Sequence, residues 1–188
     1  MNPCQNIEEK LYWKEMVSGD EAAFSALFRK YHVLLVNFGK IYTVSDSLIN
    51  DAVQDLFSDF WEKRKKLNPD VNVKSYIFGG FRNKLLKRIN KRKGFVFREE
   101  PIEVEFELSY ESLKIETEEN KDKIIRLNSL LNQLPPKQKE VIYLKYYKGL
   151  SNEQIAQILN INYQSVKNHV YRSIIMLRSY YGNEAKIN

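Results

Sequence analysis

Three aspartates spaced by four residues, Asp51, Asp55 and Asp59, are the first side chains in this sequence that could do chemistry. On a helix this spacing places them on one face, with Gln54 and Ser58 beside them, because residues i and i+4 are neighbours. Paired carboxylates can act as general acid and base. No nearby histidine, glycine-rich loop or second acidic cluster accompanies them. The alternatives are therefore a solvated acidic face and a docking surface for a basic partner.

A run of aromatic and basic side chains follows between residues 76 and 93. It consists of Tyr76, Phe78, Phe81, Arg82, Asn83, Lys84, Lys87, Arg88, Lys91, Arg92 and Lys93. Aromatic rings among cations suit unstacked bases beside a phosphate backbone, where stacking is worth about 1–3 kcal/mol per base. We expect Phe78 and Phe81 to be core residues. The cations could merely solubilise the protein, but their density favours a nucleic-acid contact.

The sharpest local pattern lies at residues 150–177. Ser151 and Gln154 form a capping box, which predicts a short helix over 152–159. Asn160 suits a left-handed turn position, and Asn162 suits the N-cap of a second helix over 163–177. Two helices joined by so short a turn form a helix-turn-helix, although an ordinary helical corner is the alternative. The outward face of the second helix carries Gln164, Lys167, Asn168, Tyr171 and Arg172, side chains suited to base edges and phosphates.

Several other kinds of chemistry are excluded by composition. The chain has one Cys and two His, too few for a disulfide framework or for a zinc site with a full set of Cys and His ligands. We therefore predict no catalytic residue, no metal and no cofactor. His169 is expected to face the DNA groove or solvent.

Charge is distributed in four alternating blocks. Residues 1–60 carry a net −4, residues 61–98 a net +11, residues 99–122 a net −8 and residues 123–188 a net +7. The overall net charge of +6 hides this pattern. Two separate basic blocks suggest contact with a polyanion in two places.

The elements that must position these side chains are helices. Apolar periodicity predicts helices over about 20–41, 47–67 and 73–92, with Asp20 as the first N-cap. Helices resume after about Lys121, and one more is expected from Pro136 to Tyr147. The fold class is therefore all-α, with two small helical domains joined by an acidic linker. The predicted domains are residues 1–93, the linker 94–122, and residues 123–188, which contain the helix-turn-helix.

The N-terminus resembles neither a secretory signal nor a membrane anchor. Glu8 and Glu9 interrupt the first ten residues, which lack the apolar core of a signal peptide. No apolar run approaches the roughly 18 residues that a membrane-spanning helix needs. We expect a cytoplasmic protein without membrane insertion.

Four motifs, in order, resemble those of RNA polymerase sigma factors of the sigma-70 family, in its small extracytoplasmic-function (ECF) subfamily. Residues 51–57 with Trp61 resemble the helix that binds the polymerase clamp. Residues 75–83 resemble the promoter-melting helix, and residues 134–141 the start of the C-terminal domain. Residues 150–172 resemble the DNA-reading helix-turn-helix.

The resemblance implies partners and roles, carried over by position. Members bind core RNA polymerase and promoter DNA and are usually held by an anti-sigma factor. The polymerase-binding residues would be Asp51, Gln54, Asp55 and Ser58. The minus-ten element would be contacted by Asn68, Asn72, Tyr76, Arg82, Asn83, Lys87, Arg88, Lys91 and Arg92, with Asn68 or Asn72 in a loop that captures a flipped base. The minus-thirty-five element would be read by Gln164, Ser165, Lys167, Asn168, Tyr171 and Arg172. The acidic linker would imitate a nucleic-acid backbone in the polymerase channel.

Two other functional classes remain as alternatives. A stand-alone helix-turn-helix regulator would need an α/β receiver or ligand domain at the N-terminus, and tight operator binding without polymerase would favour it. A nucleic-acid enzyme would need a metal or acid–base constellation, and metal-dependent DNA cleavage would favour it.

Overall fold

A computed structural model describes residues 3–92 and 118–184 of the 188-residue chain. The described residues form eight α-helices and no strand, which confirms the predicted all-α class. The helices are α1 (Pro3–Ser18), α2 (Glu21–Gly39), α3 (Asp46–Lys63), α4 (Val73–Arg92), α5 (Glu118–Asn132), α6 (Pro136–Ile142), α7 (Asn152–Leu159) and α8 (Tyr163–Glu184). Helices α1 to α4 belong to one compact unit, and α5, α6, α8 and most of α7 belong to a second.

Side-chain caps fix the starts of α2 and α3. The Asp20 carboxylate accepts the Ala23 N–H at 2.8 Å, which confirms the predicted N-cap, and the Ser45 hydroxyl faces the Leu48 N–H at 3.5 Å. Each cap satisfies a backbone donor that the first helical turn leaves unpaired. Helix α3 ends at Lys63, and a short 3₁₀ turn over Arg64–Lys66 follows it.

Aromatic rings fill the core of the N-terminal unit. Phe78 and Phe81 of α4 are buried, as predicted, and Phe78 packs against Phe38 of α2 with ring centroids 5.1 Å apart. Gly80 of α4 permits a close approach of α3, because a Cβ there would lie 2.9 Å from Cδ1 of Leu56. This close packing accounts for a glycine inside the helix, where it costs about 1 kcal/mol relative to alanine.

Helix α1 was not predicted from the sequence. It packs against α2 and buries Trp13 and Met16 completely or nearly so. The same face also buries Glu9, whose carboxylate lies 2.9 Å from Nζ of Lys30. A charged residue on the buried face interrupts the apolar stripe by which amphipathic helices are recognised. The periodic separation of apolar and polar residues in α1 is therefore weak.

The C-terminal unit follows the predicted punctuation. Pro136 occupies the start of α6, where its missing N–H has no cost. The predicted helix to Tyr147 is regular only to Ile142, and a π-helical turn over Tyr143–Tyr147 continues it. The rings of Tyr143 and Tyr147 stack 4.9 Å apart across that turn. Gly149 then has φ +62°, as suits a residue that ends a helix.

The predicted acidic linker, residues 94–122, lies mostly outside the described residues. Its last five residues, 118–122, belong to α5.

Candidate nucleic-acid interface

The aspartates of α3 form ion pairs with cations of α4. Arg88 Nε lies 3.0 Å from Oδ2 of Asp55, its Nη2 also contacts that oxygen, and its Nη1 lies 3.4 Å from Oδ2 of Asp51. Asp59 pairs with Lys84 at 2.5 Å and with Lys63 at 3.1 Å. We call these six residues the α3–α4 ladder. The structure thus joins side chains that the sequence assigned to two different partners, polymerase and DNA.

The ladder remains partly open to solvent. The side chains of Asp51 and Asp55 are 48% and 47% exposed, so each carboxylate keeps accessible lone pairs. Hydrogen bonds from Lys84 first, and then from Lys63, lower the pKa of Asp59 below its usual value. Asp59 therefore stays charged at neutral pH, and the exposed parts of Asp51 and Asp55 can still present carboxylate oxygens outward.

Gln54 and Ser58 lie on α3 outside the ladder. Both are exposed, and their spacing of four residues forms a second row beside the aspartates. The structure therefore brings all four predicted polymerase-binding residues to one exposed side of α3.

Helix α4 carries its predicted DNA-binding residues on two adjacent faces. One face is an exposed row at spacings of four residues, which consists of Asn83, Lys87 and Lys91, and Arg92 beside it is also exposed. On the other face, Arg88 points toward α3 and Arg82 is half-buried. The exposed row can contact phosphates without breaking any ladder pair.

The loop of residues 67–72 contains both candidates for base capture. Asn68 and Asn72 are exposed. The Asn68 side-chain oxygen accepts the Asp70 N–H at 2.9 Å, and that of Asn72 accepts the Ser75 N–H at 3.0 Å, which caps α4. Each amide oxygen thus shapes the backbone, and the amide NH₂ group of each side chain is the group suited to a base edge.

Tyr76 lies at the start of α4 beside this loop. The residue is 40% exposed. One side of the ring stacks on Phe60 with centroids 5.7 Å apart and an angle of 23°. Trp13 packs against it edge-on at 5.4 Å. Tyr76 is therefore a fixed ring with an accessible part, as a base-stacking platform requires.

The predicted helix-turn-helix is confirmed in its local details. Ser151 Oγ accepts the Gln154 N–H at 3.2 Å, and Gln154 Oε1 accepts the Ser151 N–H at 3.0 Å. Asn160 has φ +51°, and the Asn162 side chain accepts the Ser165 N–H at 2.7 Å. The capping box begins the first helix, and residues 160–162 then reverse the chain, with Asn162 as the N-cap of the second. Ile155 of the first helix and Val166 of the second are both fully buried.

The outward face of α8 carries the predicted reading residues. Gln164, Lys167, Asn168, Tyr171 and Arg172 are exposed, and Ser165 is half-buried. The Gln164 amide donates to the Asn168 amide oxygen at 3.1 Å, and the Lys167 ammonium lies 5.9 Å from the Tyr163 ring. The face is therefore polar, accessible and internally ordered.

His169 lies at the edge of this face. Burial first, and then the charges of Lys137 and Arg172, lower the pKa of its imidazole. The ring is therefore neutral at physiological pH. In the part of the chain that the structure describes, no cluster of three metal-binding side chains occurs, and no helix is long and apolar enough to cross a bilayer.

Two residues that support this site were not identified from the sequence. Trp13 of α1 donates its indole N–H to the Asn68 carbonyl oxygen at 3.0 Å. Arg64 lies over the Trp61 ring at 4.3 Å and donates to the Trp61 carbonyl oxygen. The only sequence signal for either was an aromatic residue near a loop, which does not specify a partner.

Comparison with known proteins gives the same two units. The sequence profile of sigma-70 region 2 matches residues 27–95, and that of sigma-70 region 4 matches residues 124–177. The first range contains α3, α4 and most of α2, and the second contains the helix-turn-helix. Together the two profiles match more than half of the chain.

Similarity to individual proteins extends along most of the sequence. RNA polymerase sigma factor NccH of Alcaligenes xylosoxydans xylosoxydans is 25% identical over 171 residues, which are 89% of this chain and 91% of NccH. The ECF RNA polymerase sigma factor SigM of Mycobacterium tuberculosis is 24% identical over 157 residues, or 84% of this chain and 76% of SigM.

The fold is shared with a solved structure, that of CnrH in complex with the cytosolic domain of CnrY. The TM-score is 0.64 with 21% identity, over 94% of this chain and 98% of CnrH. Because both family profiles occur in order and the relatives match along most of their length, the chain belongs to the extracytoplasmic-function subfamily of the sigma-70 RNA polymerase sigma factors.

Proposed function

We propose that this sigma factor is a cytoplasmic promoter-specificity subunit that binds core RNA polymerase through α3 and promoter DNA through α4, the 67–72 loop and α8, with no catalysis of its own. The observation that carries the proposal is the pair of polar surfaces, one in each unit, within a chain that matches regions 2 and 4 in order.

The α3 face supports docking to a basic partner. Asp51 and Asp55 keep nearly half of their side chains exposed, and Gln54 and Ser58 extend the polar surface beside them. Both carboxylates already pair with Arg88. A basic partner could still bind them, because a carboxylate can accept more than one charge-assisted hydrogen bond.

The minus-ten contact is assigned to the N-terminal unit. Tyr76 offers a ring for stacking, the amides of Asn68 and Asn72 offer donors, and the exposed row on α4 offers positive charge. Arg82 and Arg88 complete the set named from the sequence. Stacking and phosphate contacts together suit a separated strand better than a closed duplex.

The minus-thirty-five contact is assigned to α8. An exposed recognition helix with Lys167, Asn168 and Arg172 presents donors that match base edges in a major groove. The −8 charge of residues 99–122 supports our proposal that the linker imitates a nucleic-acid backbone.

An anti-sigma partner is part of the proposal. The relative CnrH was solved with the cytosolic domain of CnrY, so a protein of that fold can be held by another chain. A stand-alone regulator fits less well, because residues 27–95 match sigma-70 region 2 where that hypothesis requires an α/β receiver.

The test compares DNA binding by the purified chain alone and with core polymerase. We expect weak binding alone and promoter-selective binding only in the holoenzyme. Gln54→Lys should weaken assembly with core, since it adds a cation where a basic surface docks. Asn37→Lys adds the same charge at an exposed position of α2 and is the matched control. Equal assembly of both variants would contradict the proposed docking face, and tight sequence-specific binding without core would favour a regulator.

A further inference from the structure

Helix α1 contacts the 67–72 loop although none of its residues belongs to a proposed DNA or polymerase contact. The indole Nε1 of Trp13 donates to the Asn68 carbonyl oxygen at 3.0 Å. One residue later in α1, the Lys14 ammonium lies 2.9 Å from the Asp70 carboxylate. The two contacts attach the loop to α1 at two points.

The same indole also packs against Tyr76. Trp13 is fully buried, and its ring lies edge-on to Tyr76 at 5.4 Å and to Phe60 at 5.3 Å. A ring enclosed in this way has one orientation. Trp13 therefore connects the backbone of the loop to the ring of Tyr76, which lies eight residues further along the chain than Asn68.

Local hydrogen bonds determine the backbone conformation of the loop, but they do not fix Asn68 relative to the Tyr76 ring. The side chains of Asn68 and Asn72 bond to backbone N–H groups only two and three residues ahead. The Tyr76 N–H donates to the Asn72 carbonyl oxygen at 2.9 Å, so the end of the loop next to α4 is fixed locally. The position of the Asn68 turn relative to Tyr76 depends on contacts from elsewhere. Trp13 and Lys14 supply contacts of that kind.

We infer that Trp13 is a positioning residue for base selection in the minus-ten element. Its N–H holds the Asn68 carbonyl at a fixed distance from the Tyr76 ring, and this distance determines which base can stack on the ring and meet the loop donors together. The inference rests on the proposed function, because it requires that Tyr76 and the loop contact the opened strand.

The variant that isolates this role is Trp13→Phe. It keeps an aromatic ring against Tyr76 and Phe60 but removes the indole N–H. Tyr12→Phe is the matched control, since it removes a side-chain hydrogen bond from the neighbouring position of α1, the one from the Tyr12 hydroxyl to Glu8 at 3.1 Å.

The experiment uses full-length protein with core polymerase on a promoter that the wild type activates. Each minus-ten base is changed to all four nucleotides, and the ratio of transcription between the best and worst base is measured. We expect Trp13→Phe to lower that ratio about fivefold at one position, the effect of one ordinary hydrogen bond. Dependence on the minus-thirty-five element and affinity for core should not change, and Tyr12→Phe should behave as wild type.

Five results would overturn the inference. In a folded Trp13→Phe protein, an unchanged ratio excludes positioning, and an equal loss of transcription with every base indicates a merely structural role. If Trp13→Phe does not fold, Lys14→Ala replaces it as the test variant, because the Lys14–Asp70 pair is exposed and its loss should not unfold the protein. A ratio lowered about twofold supports the inference, and an unchanged ratio overturns it.

The wild type itself distinguishes the inference from the proposed function. If it initiates selectively but has no preference for any minus-ten base, only the inference is overturned. If it has no promoter selectivity at all, the proposed function is overturned as well.

Discussion

The two helices that carry the candidate DNA-binding residues, α4 and α8, use their charges differently. On α4, Lys84 and Arg88 pair with the aspartates of α3. On α8, Lys167 and Arg172 are exposed, and the contacts of Gln164 with Asn168 and of Lys167 with Tyr163 lie within the helix itself. A substitution on the inner face of α4 should therefore change both folding and binding, whereas one on α8 should change binding alone.

The largest effect is expected for Arg172→Ala. An arginine that contacts a base edge contributes about 1–3 kcal/mol of discrimination, so transcription that depends on the minus-thirty-five element should fall by roughly 5-fold to 150-fold. Because the side chain is exposed, the free energy of unfolding should change by less than about 0.5 kcal/mol. Transcription assays on intact and scrambled minus-thirty-five elements, with thermal melting, measure both quantities. A large loss of stability would contradict the separation of binding from folding on α8.

The next largest effect is expected at the α3–α4 ladder, where substitutions should change the free energy of unfolding. The double-mutant cycle Asp55→Ala and Arg88→Ala should give a coupling energy of about 1 kcal/mol in denaturant unfolding, a value already reduced because both side chains are a third or more exposed. Lys87→Ala, one residue away on the exposed row, should leave stability unchanged while weakening DNA binding by the holoenzyme. A cycle with no coupling would show that the ladder does not stabilise the N-terminal unit.

The smallest effect is a pH dependence from Asp59. Because Lys84 and Lys63 lower the pKa of Asp59 in the folded state, the stability that this group contributes is present above its ordinary pKa, about 4. It is lost as the pH falls through the lowered folded value. Melting temperature measured from neutral to strongly acid pH should therefore decline less steeply at the acid end for Asp59→Asn than for wild type.

Removing the partner provides the matched control for that titration. Lys84→Gln deletes the first cause of the lowered pKa and should flatten the same part of the curve. Full acid dependence in both variants would exclude Asp59 as its source.

Features that depend only on neighbouring residues could be predicted from the sequence. The capping box of Ser151 and Gln154, the turn at Asn160 and the cap at Asn162 all depend on residues within four positions of one another. The helix-turn-helix was therefore predicted in detail. The expectation that Phe78 and Phe81 are core residues was also confirmed.

Features that depend on distant residues were not predicted. The partner of Arg88 lies 33 residues away in the sequence, and charge spacing within α3 or α4 alone does not specify a pairing between them. The contact from Trp13 to Asn68 spans 55 residues. Helix α1 was missed because Glu9, buried through its pair with Lys30, occupies a position on the face that packs against α2.

The proposed function requires that this chain direct core polymerase to its own set of promoters. The most direct measurement maps transcript start sites made in vitro by core polymerase on fragmented genomic DNA, with and without the purified chain. We expect new starts that appear only with the chain and share a minus-ten and a minus-thirty-five element at constant spacing. Arg172→Ala should weaken the second element selectively. An identical set of starts with and without the chain would contradict the claim.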